Sequence, residues 1–220
     1  MIENINKYIE HTVLSAFATL SDVERVCAEA KKYNFASVCI NSMYVKKASE
    51  LLSGSDVNVC TVIGFPLGAA STAAKVAETE AAYADGCEEF DMVIAVGALK
   101  DGRLDYVRDD IAAVVKAAKG KTVKVIFETA YLTDEEKITA CKLCAEAGAH
   151  FVKTCTGFST AKDAENRATV HDVALMRANI PSNIKVKASA GIRSYDDAQA
   201  LIKAGADRLG TSAGVKIIEG

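Results

Sequence analysis

Short apolar runs alternate with longer amphipathic ones along the whole chain, and this alternation restricts its fold more than any other feature. Residues 8–14, 35–40, 57–63, 89–95, 123–128, 151–155, 184–188 and 208–211 are rich in β-branched and apolar side chains and read as strands. Residues 21–33, 43–52, 73–85, 104–118, 134–147, 169–179 and 195–204 repeat apolar side chains at helical spacing. Ser21, Thr133 and Ser194 are the predicted N-caps. Glu24 and Glu136 complete capping boxes with the first two, and Asp197 stands three residues after Ser194. Gly86, Gly148 and Gly205 each follow a helix directly, where a left-handed residue ends it. Such alternation implies parallel strands joined by crossover helices. Eight strands without an irregular break predict an α/β fold, a single-domain (β/α)8 TIM barrel over residues 1–220, rather than an open doubly wound sheet. Barrel chemistry belongs at the C-terminal strand ends.

Charge narrows the function classes. The formal net charge is −3 and no basic block occurs, so nucleic acid and membrane surfaces are not expected partners. No apolar run approaches the ~20 residues of a membrane span, and the first residues lack a signal pattern. Seven cysteines, an odd number set in strand and helix cores, fit a reducing cytoplasm better than a disulfide framework.

Two lysines carry the chemistry. Lys153 in Phe151-Val152-Lys153-Thr154 and Lys187 in Lys185-Val186-Lys187-Ala188 lie inside runs that read as buried strands. A buried ammonium is costly unless it is paired or has lost its proton. Two of them on neighbouring strands repel, so at least one is expected to be neutral. An ordinary lysine, with pKa near ~10.4, is about 0.04% neutral at pH 7. A value near ~7 makes roughly half of it a nucleophile toward a carbonyl carbon. The pair therefore predicts Schiff-base chemistry. An iminium acidifies the adjacent carbon, and Asp91, which interrupts the apolar run of strand four, is the carboxylate best placed to move that proton. The plainer alternative is a structural ion pair of one lysine with Asp91 or Glu128. Alternation groups Lys153 with Phe151 and Cys155, and Lys187 with Lys185 and Ser189, without deciding which face points inward. Glu10 on strand one and Asn41 after strand two belong to the same end of the barrel. After strands seven and eight, Ser189-Ala190-Gly191 and Gly210-Thr211-Ser212-Ala213-Gly214 offer small residues ahead of a short helix at 215–219. Barrels frequently bind phosphate in that position.

These residues together resemble the short-type 2-deoxyribose-5-phosphate aldolases, metal-free class I aldolases with a TIM-barrel fold. The resemblance runs through Glu10-His11-Thr12, 35–41, 60–68, 89–94, Val125-Ile126-Phe127-Glu128-Thr129, Phe151-Val152-Lys153-Thr154, Val186-Lys187-Ala188-Ser189 and Gly210-Thr211-Ser212. It implies Lys153 as the Schiff-base lysine, Lys187 as the partner that lowers its pKa, and Asp91 as the acid–base residue. It also implies phosphate contacts at Gly157, Gly191 and Ser212, with Thr156, Glu10 and Asn41 added as expected substrate-side residues. The implied reaction is reversible cleavage of 2-deoxy-D-ribose 5-phosphate to D-glyceraldehyde 3-phosphate and acetaldehyde, without cofactor or metal, by a homodimer or homotetramer. The chain departs from the family at Glu10 (usually Asp), Ser15 (Lys), Cys155 (Ser), Ala190 (Gly) and Ala213 (Ser), and over 161–167, where a short Gly-Gly segment is usual. If Ala190 takes a positive φ, it is strained.

Other signals are read as structural. Cys141 and Cys144 form a CxxC inside a helix, where free thiols pack as small hydrophobes. His150 and His171 read as surface residues, His11 as a network or packing residue, and 162–167 as an exposed loop. No Gly-x-Gly-x-x-Gly stands at a strand–helix junction. The rival functions are another phosphate-binding barrel enzyme, such as an isomerase or a transaldolase-like enzyme, and a non-catalytic sugar-phosphate sensor.

Overall fold

The computed structural model describes residues 2–161 and 166–220. Eight parallel strands close into one barrel in sequence order: β1 (Ile9–Val13), β2 (Ser37–Ile40), β3 (Asn58–Ile63), β4 (Glu89–Val93), β5 (Thr122–Ile126), β6 (Phe151–Lys153), β7 (Lys185–Ser189) and β8 (Arg208–Thr211). The α-helices are α1 (Leu20–Tyr33), α2 (Val45–Leu52), α3 (Thr72–Ala84), α4 (Val96–Lys100), α5 (Leu104–Ala117), α6 (Asp134–Glu146), α7 (Val170–Ala178), α8 (Tyr195–Lys203) and α9 (Gly214–Glu219). Each predicted strand is present, and the predicted barrel closes through β8 on β1, with Glu10 opposite Gly210.

Local chemistry explains most element ends. Thr133 and Ser194 cap α6 and α8 through reciprocal bonds with Glu136 and Asp197. The first helix corrects the expectation at Ser21. Its cap is Thr19, whose backbone is extended and whose N–H donates to the Asp22 carboxylate at 2.9 Å. The stretch read as one helix at 43–52 begins instead with a 3-10 turn, Ser42–Tyr44, before α2. Helix α4 was not predicted; five residues containing Gly97 give too little periodicity to read. Gly86, Gly148 and Gly205 take positive φ where helices end. His150 and His171 are exposed, Cys141 and Cys144 are buried in α6, and of the loop read at 162–167 only Asn166 and Arg167 lie within the described residues, both exposed.

The apolar core lies outside the barrel wall. Ile9, Val38, Val59, Phe90, Val123, Val125, Val152, Val186 and Leu209 face the helices and are fully or almost fully buried there. The opposite parity fills the interior with polar groups. Four odd strands contribute Glu10, Cys60, Lys124 and Lys187 to one layer, the arrangement a barrel of this shear produces. Bonds within the layer span the barrel: Lys124 Nζ lies 3.2 Å from Glu10 Oε2 and 3.4 Å from Cys60 Sγ. Even strands contribute Cys39, Asp91, Lys153 and Gly210 to the adjoining layer. A Cβ on Gly210 would come within 3.0 Å of Lys187 Cε, so glycine there leaves the lysine its space.

Ala190, just past β7, takes φ 76, a left-handed conformation that strains any residue with a Cβ. Its carbonyl accepts from Ala168 N–H at 3.0 Å, which holds the turn. Ala190→Gly is expected to stabilise the fold by about 1 kcal/mol. A urea midpoint that stays put or falls would contradict the strain argument.

Candidate active site

The register of the strands brings the lysines together. Lys153 and Lys187 are directly opposite on β6 and β7, as are Asp91 and Lys124 on β4 and β5. Side chains opposite one another in a parallel sheet share a face, so all four point into the barrel. Lys153 Nζ and Lys187 Nζ both donate to a single oxygen, Asp91 Oδ2, each at 2.7 Å. The other oxygen, Oδ1, accepts from Lys124 Nζ at 2.9 Å and Cys60 Sγ at 3.3 Å. Lys187 also donates to Glu10 Oε2, and Lys124 pairs with Glu89 Oε2 at 2.6 Å. The result is three ammonium groups facing three carboxylates, with Arg208 Nε 3.9 Å from the second oxygen of Glu10.

Of the two lysines expected to repel one another, Lys187 is held charged. Burial alone would push its pKa down, but Asp91 and Glu10 outweigh burial and raise it above the ordinary range. Lys124 is raised in the same way, by Asp91, Glu10 and Glu89 against burial. Asp91 is fully buried, which favours the neutral acid. Lys124, Lys153 and Lys187 overcome that and hold its carboxyl well below the usual range.

Access separates the lysines. Lys187 and Lys124 are fully buried, whereas Lys153 keeps 3% of its surface and lines a cavity of about 470 Å³ at the C-terminal end of the barrel. Lys153 also has the fewest carboxylate partners among the described residues, Asp91 alone. Thr156, Gly191 and Ser212 line the same cavity, beside Ser189, Ala190 and Arg193. Gly157 adjoins Thr156 outside the lining. Glu10 lies beneath the lysines and fully buried, so it supports Lys187 and Lys124 and does not reach the cavity. Asn41 donates to the Ser15 carbonyl at 3.3 Å and is likewise outside the lining. His11 faces away from the interior, with Nε2 2.6 Å from Glu29 of α1 and its ring against Phe35.

Lys124 and Glu89 were missed by the sequence reading; Lys124 interrupts a β-branched run in the pattern that marks Lys153, whereas Glu89 stands at the start of its strand beside Glu88 and gives no such signal. Cys39, Cys60 and Asp91 form one cluster of potential metal-ligating atoms, and Glu10, Cys60 and Glu89 form another. Both include groups that already face Lys124 Nζ, which supplies the positive charge there. Asp134, His171 and Asp172 form a third cluster, into which Lys137 Nζ reaches at 3.1 Å from Asp134 and 2.6 Å from Asp172.

The lowered pKa of Asp91 fixes the sign of an acid effect. Its stabilisation is complete above the ordinary carboxylate value of 3.8 and is lost only as pH falls below that, toward the folded-state value. Asp91→Asn leaves three buried ammonium groups with two carboxylates and is expected to cost about 3–5 kcal/mol at neutral pH. A loss under 1 kcal/mol in urea unfolding at pH 7 would show that the interior charges are not balanced through Asp91.

The model of the DeoC/LacD family aldolases matches residues 4–220. A deoxyribose-phosphate aldolase of Bdellovibrio bacteriovorus is 56% identical over 216 residues, 98% of this chain and 96% of that protein. One from Streptococcus gordonii is 58% identical, with the same coverage of each chain. The tetrameric deoxyribose phosphate aldolase of Aeropyrum pernix superposes with a TM-score of 0.89 at 34% identity, over 98% of this chain and 89% of that one. With its lysine pair on adjacent barrel strands and this similarity along its length, the chain belongs to the DeoC/LacD family of aldolases.

Proposed function

We propose that the protein cleaves 2-deoxy-D-ribose 5-phosphate reversibly to D-glyceraldehyde 3-phosphate and acetaldehyde, through an iminium on Lys153. One observation carries the reading: two ammonium groups share one buried carboxylate oxygen, and only Lys153 of the three interior lysines meets the cavity. The free amine of Lys153, the interior lysine that meets the cavity, attacks the aldehyde carbon of the open-chain sugar. Water leaves the carbinolamine and an iminium forms. The C2–C3 bond then breaks, its electron pair passes toward the iminium nitrogen to give an enamine, and the C3 hydroxyl loses its proton as glyceraldehyde 3-phosphate departs. Protonation of the enamine carbon and hydrolysis release acetaldehyde and free Lys153. Asp91, ionised and hydrogen-bonded to Lys153 Nζ but outside the cavity lining, is the group that exchanges protons with that nitrogen. Lys187 keeps a positive charge beside the same oxygen. Gly191 and Ser212 line the cavity on the side suited to the substrate phosphate, with Gly157 adjoining, and Arg193 adds a cation at the cavity wall.

We propose further that the protein works in a reducing cytoplasm and as a homo-oligomer. Among the described residues no helix is long and apolar enough to cross a membrane. All seven thiols are free and buried, and this favours a reducing cytoplasm. A homo-oligomer is favoured by the similarity to the tetrameric deoxyribose phosphate aldolase of Aeropyrum pernix.

A coupled assay for glyceraldehyde 3-phosphate tests the reading. Wild type is expected to turn over, Lys153→Ala to lose at least a thousandfold in kcat/KM, and Lys187→Met at least a hundredfold. Lys153→Ala activity within tenfold of wild type would remove the assignment. Wild-type binding of the sugar phosphate with no turnover would favour the sensor reading.

A further inference from the structure

We infer that Glu128, which the chemistry above does not use, is a positioning residue that fixes the loop after β6 over the cavity; only its kinetic test rests on the aldolase reading. Glu128 follows β5 with φ 55 and ψ 66, a left-handed conformation that a residue with a Cβ avoids. The residues on either side explain why it is adopted. Phe127 N–H donates to the Lys153 carbonyl at 2.9 Å, and Thr129 N–H donates to the Thr154 carbonyl at 3.2 Å. In an uninterrupted parallel ladder the second bond would fall two residues further along β6, not one. The turn at Glu128 absorbs that offset and directs its side chain onto the same loop.

The carboxylate, 2% exposed, accepts the Thr156 hydroxyl at Oε2. It also accepts the Thr156 N–H, at 3.2 Å from Oε2 and 3.4 Å from Oε1. Thr156 Oγ1 in turn accepts Phe158 N–H at 2.9 Å. The same connection reaches the loop twice more: Thr129 Oγ1 lies 3.2 Å from Cys155 Sγ, and the Tyr131 hydroxyl accepts Thr160 N–H at 2.9 Å. Segment 154–160 is therefore held along its length from β5 and the 3-10 turn Thr129–Tyr131, and Glu128 supplies the central clamp. Because Thr156 and Phe158 line the cavity together with Lys153, the clamp sets the separation between the reacting amine and the opposite wall. Burial raises the Glu128 carboxyl above its ordinary value, while the Thr156 bonds and the charge on Lys153 oppose the rise.

Glu128→Gly isolates the side chain, since glycine takes this φ without strain. Hydrogen–deuterium exchange of the peptide covering 154–160 is expected to speed up at least tenfold, with the rest of the barrel unchanged. KM for 2-deoxyribose 5-phosphate is expected to rise at least tenfold while kcat falls less than threefold. Glu128→Gln, which keeps an acceptor oxygen, is expected to bring both quantities back to within threefold of wild type. Exchange in 154–160 within twofold of wild type, or acceleration spread through the whole barrel, would overturn the inference. If Glu128→Gly does not fold, Thr156→Val, which removes the hydroxyl between Glu128 and Phe158, is judged by the same two quantities. A wild-type protein without cleavage activity would defeat the proposed function, and the exchange comparison would still decide the role of Glu128.

Discussion

The interior of this barrel is organised around Oδ2 of Asp91, which accepts from both Lys153 and Lys187. A fully buried carboxylate is unfavourable by itself, and so is each buried ammonium. Together they satisfy one another, and Glu10, Glu89 and Lys124 extend the balance across the barrel. Such a network contributes less to stability than an apolar filling of equal volume would. It makes removal of any one member expensive, and it fixes a reactive amine in one place. The apolar work of folding is done elsewhere, in the layer between the barrel wall and its helices.

Function follows from an asymmetry inside that network. The three lysines resemble each other in sequence setting, yet their surroundings differ in two respects. Lys124 and Lys187 are enclosed and face several carboxylates, whereas Lys153, whose ion-pair partner among the described residues is Asp91, opens to the cavity. Access therefore selects Lys153. The loops after β6, β7 and β8 help to wall the cavity, and two non-glycine residues, Ala190 in the lining and Glu128 after β5, hold left-handed backbone conformations. Local strain at the rim of a stable barrel is where a binding geometry is ordinarily stored.

Much of this was legible in the residues. Periodicity located all eight strands, because each run is short and bounded by turn residues. Lys153, Lys187 and Asp91 stood out because a charge in a β-branched run requires an explanation. The same signal was present in Thr122-Val123-Lys124-Val125-Ile126, but single runs do not reveal that β1, β3, β5 and β7 contribute to one layer. That is a property of barrel closure, and it is what surrounds Lys187 with the carboxylates that keep it charged. Glu10 was placed at the substrate for the same reason: strand order gave its end of the barrel, and only the stacking of layers puts it below the lysines. The start of α1 was misread because Ser21-x-x-Glu24 imitates a capping box two residues after the real one. The condition set for strain at Ala190 is met: it takes a positive φ, as does Gly191 after it.

The central claim is that one interior lysine, and not its two neighbours, is the nucleophile. The most direct measurement is borohydride reduction in the presence of acetaldehyde, followed by peptide mass spectrometry. The account predicts a reduced two-carbon adduct on the peptide containing Lys153 and none on those containing Lys124 or Lys187. An adduct on Lys187 or Lys124, or no adduct on any lysine, would contradict it.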